Sequence, residues 1–221
     1  MSADGRDVAG GAVRGGGAPP RCTGDVLDGS GGPASDMEGL QFVFGSDGST
    51  VRGLSIVNFS DDAVVLFYSD NHTIESNYIG TDGTNALGNQ TGIYIEGSSG
   101  NTIGGTGSGN VVSGNYYGVE LVGSGATNNT VVGNYIGTNA GATAAIGNDA
   151  HGVYLRSGAT GNTIGGDRGA GEANVIAGNT GVGVRILSAS ANEVLGNYIG
   201  TNASGTEGLG NADGVYLSFV S

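Results

Sequence analysis

The chain has 221 residues, of which 48 are Gly, 3 are Pro and none is Trp. This leaves room for one large domain or a repeat array, and Gly at that level without a strict third-residue rule excludes a collagen helix. The net charge of −13, with 7 Arg and no Lys, repels phosphate backbones, so no nucleic-acid partner is expected.

No apolar run reaches the length of a membrane span. Met1 to Gly17 lack the apolar stretch of a signal peptide, and Cys22 alone cannot close an internal disulfide. Residues 1–38 read as a low-complexity N-terminal segment, within which Asp25 to Met37 are expected to cover the first coil irregularly.

From residue 39 onward, three short strand signals recur in fixed order. The first is a small residue followed by alternating aliphatics, as in Gly39-Leu40-Gln41-Phe42, Ala63-Val64-Val65-Leu66, Gly92-Ile93-Tyr94-Ile95, Gly118-Val119-Glu120-Leu121, Gly152-Val153-Tyr154-Leu155, Gly183-Val184-Arg185-Ile186 and Gly214-Val215-Tyr216-Leu217. The second is Thr before a β-branched residue: Thr50-Val51, Thr73-Ile74, Thr102-Ile103, Thr130-Val131 and Thr163-Ile164, with Glu193-Val194 breaking the column. The third holds Ile56, Ile79, Val112, Ile136, Ile176 and Ile199. Strands of three or four residues with one-in, one-out alternation are a β signal. The Gly and Asn between them supply the left-handed angles of sharp corners.

A coil this small buries too little apolar area alone and must stack on copies of itself. The repeat therefore predicts an all-β fold, a right-handed single-stranded parallel β-helix with about six coils plus an incomplete seventh. Stacking places equivalent residues about 4.8 Å apart. Corner asparagines Asn58, Asn89, Asn115, Asn148, Asn179 and Asn211 are then expected to form a hydrogen-bonded ladder, and Asn101, Asn129, Asn162 and Asn192 a second, with His72 in the Asn position one coil earlier. Insert loops alternate between two corners, Thr106 to Gly109 and Asp167 to Ala173 at one, and Thr81 to Leu87, Thr138 to Ile146 and Thr201 to Leu209 at the other, so the unit of duplication is two coils.

The run Asn-Tyr-Ile-Gly-Thr, Gly-Val-Tyr-Leu, Asn-Thr-Ile-Gly-Gly and Asn-Val-Ile-x-Gly-Asn resembles bacterial right-handed parallel β-helix repeat proteins of the pectate-lyase-like group, long surface or secreted proteins. The resemblance covers residues 39–221 as one repeat domain, and implies an extracellular or cell-surface setting. The last coil opens at Val215 without closing, which is read as truncation, with further coils of a longer parent chain as a partner.

Chemistry is sparse. Asp61, Asp62, His151 and Arg185 echo the Asp-Asp, His-Gly and Arg-Ile motifs of polygalacturonase-type hydrolases. Asp62 and His151, however, lie three coils apart, about 14 Å along the axis, too far for a paired acid and base. The position of His151 is taken in other coils by Asp62, Thr91, Tyr117, Val182 and Asp213, a variety that suggests a solvent-facing loop. No cofactor is expected; Asp149, Asp167 and Glu172, near insert loops, are the acids that could hold Ca2+ loosely. The Thr column is too thin for an ice-facing surface.

The outward residues of the first strand read Gln41, Val65, Tyr94, Glu120, Tyr154, Arg185 and Tyr216. Aromatic faces interleaved with polar groups suit stacking on sugar rings, so Tyr94, Glu120, Tyr154, Arg185 and Tyr216 are candidate carbohydrate contacts. Tyr78, Tyr135 and Tyr198 form a second set on the third strand. The expected function is a non-catalytic structural or adhesion module of a bacterial surface or secreted protein. Two alternatives stand beside it: a polysaccharide lyase or glycoside hydrolase fragment, and a module that binds a polysaccharide or cell-surface glycan through an exposed Tyr column.

Overall fold

The computed structural model describes residues 7–9, 24–32 and 34–218. Cys22 and most of the low-complexity N-terminal segment lie outside them. The described chain winds through three parallel seven-stranded sheets, visiting each in turn. Sheet A contains Asp7–Ala9, Thr50–Arg52, Thr73–Glu75, Thr102–Gly104, Thr130–Val132, Thr163–Gly165 and Glu193–Leu195. Sheet B contains Val26–Asp28, Ser55–Val57, Tyr78–Ile79, Val111–Val112, Tyr135–Ile136, Val175–Ile176 and Tyr198–Ile199. Sheet C contains Leu40–Val43, Val64–Phe67, Thr91–Glu96, Tyr117–Val122, Val153–Arg156, Val182–Leu187 and Asp213–Ser218.

The register explains the sequence period. Val119 pairs with Val153 and Val153 with Val184, so like side chains stand in files. All three are fully buried, as are Ile79, Val112, Ile136 and Ile176 from sheet B and Ile74, Ile103, Val131 and Ile164 from sheet A. These files merge into one continuous apolar core running the length of the coil. Burial of that many aliphatics, at about 25 cal/mol per Å², is the main force holding strands this short together.

Among the described residues, two strands precede residue 39. Asp7–Ala9 pairs with Thr50–Arg52, and Val26–Asp28 with Ser55–Val57. The expected irregular cover over Asp25 to Met37 thus begins with a regular rung, in which Leu27 packs against the core. A single partly buried aliphatic in a Gly-rich stretch is too little periodicity to read as a strand.

Three asparagine ladders line the corners. Asn89, Asn115, Asn148, Asn179 and Asn211 are joined by Nδ2–H to Oδ1 bonds of 2.8, 3.2, 2.8 and 2.9 Å. Asn58 does not join them. Its Nδ2 donates instead to Asp28 Oδ1, and Asn89 Oδ1 accepts from Phe59 N, so the ladder position in that coil belongs to Phe59. The cause is register: Asn58 sits one residue early, in the left-handed region at φ 60°. The second ladder joins Asn101, Asn129, Asn162 and Asn192 at 2.8, 3.0 and 3.0 Å. His72 ends it: its backbone N donates to Asn101 Oδ1, its Nδ1 accepts from Ser49 N, and its Nε2 meets Ser69 Oγ. Burial holds the His72 imidazole below its ordinary pKa, so it stays neutral and serves structure.

A third ladder, Asn77, Asn110, Asn134, Asn174 and Asn197, runs between sheets A and B with amide bonds of 3.0, 3.0, 3.0 and 2.8 Å. Asn110 shows how each member is satisfied. Its Nδ2 donates to Asn134 Oδ1 and Ile74 O, its backbone N donates to Asn134 Oδ1, and its Oδ1 accepts from Asn77. A buried amide with both hydrogens and its oxygen paired costs no desolvation penalty, and it fixes coil-to-coil register. Glycines beside the ladders permit the close rungs: a Cβ at Gly147 would overlap the carbonyl of Gly178.

Candidate functional site

Every outer sheet face was open to function in the sequence; packing distinguishes them. On sheet B, Tyr78, Tyr135 and Tyr198 lie under the insert loops. Each loop closes through an antiparallel bridge, Thr81 to Ala86, Thr138 to Ala145 and Thr201 to Gly208. Tyr135, Tyr198 and Leu209 pack with Ala142, Val175 and Ala177 as a second apolar cluster. A Cβ on Gly83 would stand 2.8 Å from the Tyr78 ring, and one on Gly205 3.3 Å from the Tyr198 ring. These tyrosines are seats for loops.

The outer face of sheet C gathers the remaining chemistry. The register aligns Tyr94, Glu120, Tyr154, Arg185 and Tyr216 in one file. Beside it runs the file entering the strands, Asp62, Thr91, Tyr117, His151, Val182 and Asp213, and on the other flank Phe67, Glu96, Val122, Arg156 and Leu187.

The file through His151 is not a solvent-facing loop. Asp62, Thr91 and Val182 are buried, and the His151 ring packs 5.2 Å from Tyr154 and 5.8 Å from Tyr117. Within the stack the side chain preceding the strand's small residue packs against its neighbours, whereas Asp213 on the last rung is exposed. Nor is the tyrosine file uniformly exposed. Tyr94 is half-buried, Tyr154 is 7% exposed and Tyr216 is 46% exposed. Tyr154 is enclosed because Tyr117 packs at 5.7 Å and the Arg156 and Arg185 guanidiniums lie 5.9 and 5.2 Å from its ring.

Electrostatics along this face are uneven. Glu120 is buried and takes a 2.6 Å ion pair from Arg156 Nε, which compensates its desolvation. Tyr94 OH donates to Glu96 Oε2 at 2.6 Å; burial, then this bond, pushes the phenol well above its usual range. Burial pushes Asp62 up to about 6, with Asp61, Glu120 and Glu38 adding repulsion and a hydrogen bond from Thr91 opposing it. His151 is held below its ordinary value by burial and by the Arg185 charge, so the imidazole is neutral. Arg185 lies between the rings of Tyr154 and Tyr216, at 5.2 and 5.8 Å, with Nη1 2.8 Å from His151 Nε2.

The structure thus brings His151 and Arg185 into contact and keeps Asp61 and Asp62 three rungs from His151 and four from Arg185. Tyr117 and Arg156, absent from the sequence-derived candidates, complete the face. The signal for Tyr117 was its place before Gly118, the same place that His151 holds before Gly152. Asp167 and Glu172 meet in one loop, where Asp167 caps a single 3-10 turn and Glu172 Oε2 accepts from Asp167 N. Asp149 is exposed, and no group of three or more metal-ligating side chains occurs among the described residues. No helix among the described residues is long and apolar enough to cross a membrane.

Residues 30–136 match the family profile described as right handed beta helix region. No curated protein matches the sequence. Among solved structures, a variant of the periplasmic alginate epimerase AlgG is similar, at 17% identity and TM-score 0.61, over 83% of this chain and 36% of that one. Unsubstituted AlgG gives 15% identity and TM-score 0.58, over 83% and 48%. The A-module of the Azotobacter vinelandii mannuronan C-5 epimerase AlgE6 gives 20% identity and TM-score 0.52, over 68% and 34%. The chain therefore spans about a third to a half of the length of these structures. Likeness at such identity is a likeness of fold. On its files, its ladders and these matches, the chain has the fold of a right-handed parallel β-helix.

Proposed function

We propose that this chain is a non-catalytic β-helix module that binds a polysaccharide along the outer face of sheet C, in an extracytoplasmic setting. One observation carries the reading: this face holds a continuous strip of aromatic and guanidinium groups, Tyr117, His151, Tyr154, Arg185 and Tyr216, in mutual contact. Sugar rings present C–H faces that stack on aromatics and hydroxyls that bond to fixed polar groups. The similar structures are named as alginate epimerases, one of them periplasmic, which supports both the ligand class and the setting. Rigid ladders suit a binding platform, since a preorganised surface loses little entropy on binding.

Affinity electrophoresis through gels containing single polysaccharides tests the reading. Retardation by at least one glycan, weakened by Tyr216→Ala with folding intact, is the expected result. Unretarded migration in all gels would remove it.

A second reading rests on Asp62. Burial on this face raises its carboxyl to about 6, so it keeps its proton in mildly acidic solution, as a general acid must. Release of reducing or unsaturated sugar ends, abolished in Asp62→Asn, would replace the binding module with an enzyme.

A further inference from the structure

Three arginines on or near the outer faces have different surroundings. Arg156 Nε donates to the Glu120 carboxylate. Arg168 lies 4.5 Å from the Tyr198 ring and donates through Nε and Nη2 to the carbonyls of Gly196 and Asn197. Arg185 differs: its Nε is buried and has no hydrogen-bond partner among the described residues. No carboxylate among them pairs with it either, and its polar neighbour is the imidazole of His151.

That neighbour is a poor acceptor. His151 Nδ1 already faces the Val182 N–H at 3.1 Å, while Nε2 faces Arg185 Nη1 at 2.8 Å. A neutral imidazole has one bare nitrogen, so it accepts from one of these donors and presents a hydrogen to the other. His151 cannot serve both. Among the described residues the side-on edge of the guanidinium, Nε with Nη2, has no acceptor, although this fork matches the two oxygens of a carboxylate or the oxygens of a sulfate. A buried guanidinium N–H with no acceptor is costly, and the cost is recovered when an anion arrives. The rings of Tyr154 and Tyr216 flank the guanidinium at 5.2 and 5.8 Å, and their faces favour a cation there.

We infer that Arg185, held between Tyr154 and Tyr216 beside His151, is the seat of an anionic group, a carboxylate or sulfate carried by an acidic polysaccharide. The inference rests on the glycan-binding reading for its polymer, but not for its anion. The polymer is read against the protein's own charge of −13, so the seat is local and most effective at moderate salt, where distant repulsion is screened.

Two measurements separate the anion from the polymer. In the first, the His151 ring resonances are titrated with pH by NMR, with and without sodium acetate or sodium sulfate. An anion at Arg185 removes the positive field from His151 and raises its midpoint, and the shift disappears in Arg185→Gln. An unchanged midpoint with both salts overturns the seat, whatever the protein does with glycans. In the second, binding of polygalacturonate (carboxylate), dextran sulfate (sulfate) and unmodified dextran (neutral) is measured at fixed ionic strength. Wild type is expected to prefer one or both polyanions, with Arg185→Gln weakening them about tenfold or more. Arg185→Lys, which keeps the charge and removes the fork, is expected to restore part of the loss. Equal binding of dextran by wild type and Arg185→Gln, without preference for polyanions, overturns the seat and leaves the glycan-binding reading standing. A salt-induced His151 shift without retention of any polymer supports the seat and overturns the polymer.

Discussion

Tyr78, Tyr135 and Tyr198 on sheet B, and Tyr94, Tyr154 and Tyr216 on sheet C, recur on alternate coils with the same spacing. The two sets have different fates. On sheet B an insert loop follows the tyrosine-bearing strand, folds back through a two-residue bridge and lays small residues on the ring. On sheet C no such insert follows within the duplicated unit, and the rings face charged and aromatic side chains from adjacent coils. Duplication explains why a tyrosine returns; what packs over it decides whether it supports structure or meets a ligand.

That contrast can be broken most forcefully on sheet B. Replacing Tyr78, which is 4% exposed, by Ala should cost about 3 kcal/mol through lost burial and a cavity under the Thr81–Ala86 loop. Urea unfolding would read this as a lower midpoint, with polysaccharide retardation of the folded fraction unchanged. A loss of binding at full stability would reverse the assignment of the two faces.

Sheet C should respond to pH. Asp62 is raised from 3.8 to about 6, so folding favours its protonated form. The stability it contributes is present below the ordinary carboxylate value and is lost as pH rises through about 6, amounting to about 2–3 kcal/mol. Unfolding free energies measured from about pH 4 to about pH 7 should show this fall in wild type and a flatter profile in Asp62→Asn. A wild-type profile that rises over the same interval would contradict the burial of Asp62 as a source of its shift.

Gly83→Ala sharpens the loop-seat argument at smaller scale. The residue has φ +93° and the new Cβ would crowd the Tyr78 ring. A loss of about 1–2 kcal/mol is expected from backbone strain and contact together. Thermal melting would detect it, and an unchanged melt would show that the loop does not depend on that close approach.

The smallest stability effect belongs to Tyr216→Ala. The ring is 46% exposed and its contact with a guanidinium is at 5.8 Å, so unfolding should move by less than about 0.5 kcal/mol. Its polysaccharide affinity should nevertheless fall severalfold. Binding unaffected by Tyr216→Ala would remove the strongest functional distinction between the sheets.

Much of this architecture was readable in advance. The aliphatic files at Ile93, Val119, Val153 and Val184 announce an interior because only stacking can hide them, and two ladders follow from asparagines returning at corners. The third ladder was also in view, as Asn77, Asn134 and Asn197 open the most obvious repeat in the chain. An Asn next to Tyr-Ile reads as part of a strand motif, which masks its place in a ladder. Asn58 is the opposite case, with the right residue type one position out of register. The strand Val26–Asp28 was hidden by its Gly-rich surroundings.

The sequence by itself determined the coil, its inward files and its two-coil unit, because these follow from local alternation and from the need of each short coil for a neighbour. It did not determine which outward side chains are covered. Burial of Asp62, Glu120 and Tyr154, the contact of His151 with Arg185 and the enclosure of the sheet B tyrosines join residues about 30 or more positions apart or lie under loops whose path is set by packing. Only the tertiary structure decides these, since desolvation and hydrogen-bond supply depend on what surrounds a group in space and leave no period in the chain.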